Sequence, residues 1–149
     1  MRVQPIPVSP WQANCYLVFT DEDASECLVV DPGVMGADPV RAALTRLDAT
    51  PVALLATHGH FDHIGDAHLL AAEHGIPLYL AAADQHLVTR PGDGLGPQGA
   101  ALMRQLTGTD VAPGIDDVRD YDGAVELAGF RVEPFAAPGH TEGSTLRSE

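Results

Sequence analysis

The 149-residue chain is 45% hydrophobic, enough for one packed domain and too apolar for a disordered segment. Its formal net charge is −13, with 8 Lys and Arg against 21 Asp and Glu, which disfavours nucleic-acid binding and an anionic membrane surface, since both rest on basic side chains. Met1 to Pro10 holds one Arg and no apolar run, and no stretch approaches the ~20 apolar residues of a membrane helix, so the chain is expected to be soluble and cytoplasmic.

Residues 14–20 (NCYLVFT) and 26–31 (ECLVVD) are β-rich runs on either side of a polar turn and read as an antiparallel pair. Cys15 and Cys27 fall inside them, outside any CxxC pair, and read as small buried hydrophobes rather than a disulfide framework. Asp38-Pro39 predicts a helix start with Asp38 as N-cap, and Val40, Ala43, Leu44 and Leu47 then recur at helical spacing. Residues 51–57 (PVALLAT) are a continuous apolar run, suited to a strand buried on both faces. A second helix is predicted from Ile64 to His74, closed by Gly75. A short strand at 77–80, a helical segment at 81–89, an irregular Gly- and Pro-rich loop at 90–99 and a helix at 100–106 follow. Residues 124–128 and 129–136 predict a hairpin turning at Ala128-Gly129. This order predicts an α/β (α+β) chain, one domain over residues 1–149, with helices packed on a mixed sheet.

The segment Thr57-His58-Gly59-His60-Phe61-Asp62-His63 sets four candidate metal ligands close together, directly after the buried strand. His58 and His60 alternate with Gly59, so an extended backbone points both imidazoles the same way. Asp62 and His63 follow where the chain turns into a helix, and diverge enough to face a second metal position. Imidazole nitrogen and carboxylate oxygen suit zinc, and also iron and manganese. Three of the chain's 7 histidines crowd here, which chance assembly does not explain. His68, His74 and His86 fall on predicted helix surfaces, outside the cluster.

His58-Gly-His60-Phe-Asp62-His63 resembles the HxHxDH signature of the metallo-β-lactamase superfamily. Ala137-Pro138-Gly139-His140-Thr141-Glu142-Gly143-Ser144 resembles that family's second motif, PGHTxGS. Asp31-Pro32-Gly33 and Asn14-Cys15-Tyr16 also look like the glyoxalase II branch. The resemblance implies an αβ/βα sandwich, with His58, His60 and His140 forming a first metal site and Asp62 and His63 part of a second. It gives Asp31 a supporting role, holding the His loop by hydrogen bonds; a plain turn residue before Pro32 is an equal reading.

The family continues past the second motif with a strand, a GD motif whose Asp bridges two metals, and a final His. The sequence stops at Glu149 before any of these. The expectation is therefore the N-terminal half of the sandwich and the start of the second, with one sheet face exposed and a single well-ligated ion. The leading function is hydrolysis by metal-bound hydroxide, with Asp62 orienting the water and helping to move a proton. The substrate class implied by the resemblance is a thioester such as a hydroxyacyl-glutathione. A β-lactam, a phosphodiester or a persulfide belongs to the same superfamily. Two rivals stand beside this reading. One is a non-catalytic metal-binding fragment. The other is a half-domain that completes its site with a partner chain and forms an oligomer through the exposed face.

Overall fold

Strand β1 (Arg2–Val8) pairs antiparallel with β2 (Ala13–Phe19), and β2 pairs antiparallel with β3 (Glu26–Val30). From β3 onward the sheet runs parallel, through β4 (Thr50–Leu55), β5 (Leu78–Tyr79) and β6 (Val118–Arg119). The spatial order of these six strands equals their chain order. The computed structural model describes residues 1–11 and 13–148, and Glu149, which closes the sequence, lies outside the described residues.

The parallel crossovers hold the helices. Helix α1 (Ala37–Arg46) links β3 to β4; α2 (Phe61–Ile64) and α3 (Ala67–His74) link β4 to β5. They close one sheet face over a core that includes Leu17, Phe19, Val29, Val40, Leu54, Leu70 and Leu78. Alternate residues of the same strands point the other way. Leu28, Ala53, Leu55 and Tyr79 pack there against Phe130 and Val132. Those two belong to β8 (Phe130–Ala136), the middle strand of a second, antiparallel sheet with β7 (Val125–Leu127) and β9 (Thr145–Ser148). The face expected to lie bare is thus partly covered. Beside the covered part, an apolar cleft of about 310 Å³ remains, walled by Val3, Tyr16, Val18 and Phe130 among others.

Several elements differ from the sequence-based expectation. Strand β1 was not predicted, because Pro5 and Pro7 interrupt its pattern; at a sheet edge, with β2 as its one neighbour, the missing N–H groups are tolerated. Asp38 is not the N-cap of α1. Gly36 occupies that position, the Ala37 N–H donates to Asp66 Oδ2 at 3.0 Å, and Asp38 pairs with Arg41 at 2.8 Å. The same Asp66 breaks the helix expected from Ile64 to His74 into α2 and α3, its N–H donating to Gly33 O at 2.7 Å. Ala82–Val88 is a 3-10 helix, a shorter 3-10 turn at Pro91–Leu95 interrupts the expected loop, and α4 spans Gly99–Thr107. The β7–β8 hairpin turns at Ala128-Gly129 as expected, both with positive φ, the geometry of a tight two-residue hairpin turn.

Cys15 and Cys27 are buried and free. Burial raises both thiols, Cys27 to about 12, so neither is nucleophilic near neutrality. No helix among the described residues is long and apolar enough to cross a membrane.

Candidate metal centre

Strand β4 is paired on both sides, so its carboxyl end is a rigid platform, and in open α/β sheets the crevice at the carboxyl ends of parallel strands is where sites form. The chain leaves β4 through buried Ala56 and reaches Thr57, His58 and His60 at that edge. His140 arrives from the turn between β8 and β9, where Thr145 N–H donates to Thr57 O at 2.8 Å and fastens the second sheet to the end of β4. His60 Nδ1 and His140 Nε2 face each other at 3.0 Å. The His58 ring sits edge-on to both, with centroids 4.9 and 4.8 Å away. One nitrogen from each of the three histidines lies within 4.8 Å of the other two.

The ring nitrogen of His58 that points into this cluster follows from a relay behind it. Buried Asp31 accepts from the Thr57 N–H on Oδ1 and from the Thr57 hydroxyl on Oδ2, both at 2.7 Å. A hydroxyl has one proton, so Thr57 Oγ1, having given it to Asp31, can only accept from His58 Nδ1 at 2.9 Å. This assigns the proton of neutral His58 to Nδ1 and leaves Nε2 with a lone pair. That Nε2 is buried and has no hydrogen-bond partner. A buried acceptor with no protein partner, beside two more imidazoles, fits a metal ion.

Crowding sets the charges. Burial, then the neighbouring His63, pushes His58 down to about 4 against the pull of Asp31. Burial and then His140 also lower His60. His58 and His60 are therefore biased toward the neutral form, the form that binds metal. Burial pulls His63 down too, but its hydrogen bond to Asp31 Oδ2, at 3.1 Å, and that carboxylate's charge leave it raised overall.

Comparison with known proteins agrees with this geometry. The family model of the metallo-beta-lactamase superfamily matches residues 8–146. This chain belongs to the metallo-beta-lactamase superfamily. An uncharacterised protein of Mycobacterium tuberculosis is 34% identical over 146 residues, which are 98% of this chain and 64% of the relative. A hydroxyacylglutathione hydrolase of Haemophilus influenzae is 28% identical over 152 residues, 96% of this chain and 64% of the relative. A structure solved in a di-iron-bound form superposes with a TM-score of 0.73 at 28% identity, covering 96% of this chain and 65% of the other. The chain thus spans just under two thirds of the length of these proteins.

Within this superfamily member, the expected second pair of ligands is placed differently from the triad. His63 lies against His58, with ring centroids 4.2 Å apart, but its two nitrogens are taken up by Asp31 and, at 3.5 Å, by Asp62 Oδ2. Neither Asp62 nor His63 falls in the group of converging nitrogens. His68 is half-buried and meets Gly65 O at 3.0 Å, and His74 is exposed. His86 is exposed as expected, yet it shares a cleft with His60, His140 and Glu142, which places it beside the centre rather than remote from it.

The residue that sequence reasoning missed is Asp84. It is 2% exposed, and its carboxylate accepts from Gly59 N–H at 2.8 Å, Thr141 Oγ1 at 2.6 Å and Gly143 N–H at 2.9 Å. One side chain thus ties the loop of His58 and His60 to the loop of His140. Gly143 lies so close that an added Cβ would stand 2.6 Å from the Asp84 carboxyl carbon. The available signal was a lone carboxylate directly after the apolar segment 78–83, since a buried Asp needs partners.

Proposed function

We propose that His58, His60 and His140 hold a divalent metal ion and that the chain is a metal-dependent hydrolase acting on a small-molecule thioester. The unpartnered, buried Nε2 of His58, in a ring that stands edge-on to His60 and His140, carries the reading. Three imidazoles are a sufficient protein ligand set for a catalytic ion and leave a position open. Bound there, such an ion supplies acidified water and polarises a carbonyl oxygen. Zinc, iron and manganese all suit this donor set, and a relative in structure carries two irons.

The chain's own residues do the rest. Asp31, through Thr57, keeps the His58 lone pair aimed inward. Asp62 orients the attacking water and takes up its proton. His63 would ligate a second, weaker ion only through the nitrogen that faces Asp62 at 3.5 Å, giving up that contact. In the overall reaction water adds to the acyl carbon, the C–S bond breaks, and a carboxylic acid and a free thiol leave. The relative named as a hydroxyacylglutathione hydrolase supports the thioester class, as do Asp31-Pro32-Gly33 and Asn14-Cys15-Tyr16, which look like the glyoxalase II branch.

The test loads the metal-free chain with Zn²⁺, Mn²⁺ or Fe²⁺ and follows thiol release from a panel of thioesters. Metal-dependent release that His60→Ala abolishes is the expected result. Absence of metal uptake by the wild-type chain would overturn the assignment.

A further inference from the structure

A second cleft adjoins the centre on its Asp62 side. It holds about 330 Å³ and is walled by Trp11, Phe61, Asp62, Leu95, Leu102 and Leu106. Three separate segments build it: the turn between β1 and β2, the His loop, and the Pro91–Leu95 turn with α4. Leu102 and Leu106 are one helical turn apart and share a face of α4, while Met103 turns into the protein and is buried. Trp11 is 54% exposed and Leu106 52%, and Leu95 and Leu102 are exposed too. Single exposed apolar residues need no explanation, but four gathered around one groove mark a binding surface. The volume falls at the small end of ligand clefts, ~300–1,000 Å³.

We propose that this groove binds the acyl chain of the substrate, so that the chain hydrolyses thioesters of apolar acyl groups rather than of short hydroxy acids. The proposal rests on the hydrolase reading above. Continuity with the centre argues for the occupant: Asp62 is the groove's one polar wall, and it contacts His63 beside His58. An acyl group whose carbonyl is held at the centre would extend past Asp62 into this apolar groove. A hydroxyl placed farther along that acyl group, past Asp62, would face Leu95, Leu102 and Leu106, which offer no hydrogen-bond partner, and burying it there would cost affinity. The other cleft at the centre, with His86, Asp93 and Glu142, is polar and suits the polar part of a thiol carrier.

Trp11 is the chain's only tryptophan, so its fluorescence reports on the groove alone. The experiment titrates the metal-loaded protein with ketone analogues of acyl-cysteamine thioesters, from acetyl through butyryl and hexanoyl to octanoyl. Thiol release from the matching thioesters is measured in parallel. The expected result is a blue shift of Trp11 emission, with affinity rising about fourfold per added methylene. Leu102→Asn with Leu106→Asn, both at exposed positions, should flatten that dependence without unfolding the protein. Equal affinity along the series, unmoved emission, or an unchanged dependence in the double variant would overturn the proposal. So would a blue shift that grows with protein concentration alone, since a second copy would then fill the groove. Turnover without chain-length dependence would remove the groove and keep the hydrolase; length-dependent binding without turnover would do the reverse.

Discussion

The hydroxyl of Thr141 donates to Oδ2 of Asp84 over 2.6 Å, joining residues 57 positions apart. The same carboxylate reaches Gly59, the residue between His58 and His60. Replacing Asp84 by Ala leaves two buried N–H donors without acceptors, and we expect a loss of about 3 kcal/mol in urea unfolding of the metal-free chain. Asp84→Asn fills the space but turns an N–H₂ toward one of those donors, so it should lose part of that stability and also weaken zinc binding. Wild-type stability and zinc affinity in Asp84→Asn would show that the two loops hold together without it.

Thr57→Val keeps the side-chain volume and deletes the relay between Asp31 and His58. His58 is then free to carry its proton on either nitrogen. Groups that orient a metal-binding His in this way are worth roughly 10–100-fold in metal affinity. We expect a drop of that size in competitive zinc titrations, with little change in far-UV circular dichroism. Unaltered zinc affinity would mean the tautomer is fixed by something else.

In the metal-free protein, His58 should remain neutral down to a pH of about 4. An unfolded chain protonates this residue near its ordinary value of 6.5. Between the two values the unfolded state holds a proton that the folded state lacks, so stability from His58 is complete above about 6.5 and falls as the pH drops toward 4. His63 shifts the opposite way, so its contribution is complete below the ordinary value and is lost as the pH rises through its raised folded value. Imidazole NMR across an acid titration separates the two, with His63 protonating first as acid is added. A reversed order would contradict the charge pattern described for the centre.

His60→Ala should lower zinc affinity by more than about hundredfold, because it removes one of three converging nitrogens rather than a supporting contact. His86→Ala should change it by less than about threefold, although His86 shares the cleft, since its ring is outside the converging group. Wild-type chain dialysed against buffer should retain one zinc, because the nitrogens of His63 are turned to Asp31 and Asp62. Two tightly held ions would show that Asp62 and His63 complete a second site.

The His cluster was legible because its chemistry is local: four donors stand within a few residues of a strand end, and a second motif supplies His140. The buried strands β2, β3 and β4 were legible for the same reason, as apolar runs whose partners follow directly in the chain. Strand β1 was hidden by Pro5 and Pro7, whose acceptability depends on an edge position that no local pattern announces. The α2–α3 break was hidden because Asp66 serves Ala37, 29 residues away. Asp84 was hidden for the same kind of reason, its three donors lying 25, 57 and 59 residues from it. For Asp66 and Asp84, what escaped the sequence was a side chain whose partner is remote.

His60 and His140 stand 80 positions apart, yet their ring nitrogens meet. An ion held between them would work mechanically as a detachable staple across that span. Closing a loop of such length by a covalent link removes roughly 4 kcal/mol of freedom from an unfolded chain. A chelator would then act on the protein as a reductant acts on a disulfide. With the staple out, the turn that carries His140 hangs on Asp84 and on the bond from Thr145 to Thr57, so the rigidity of the second sheet becomes a readout of metal supply.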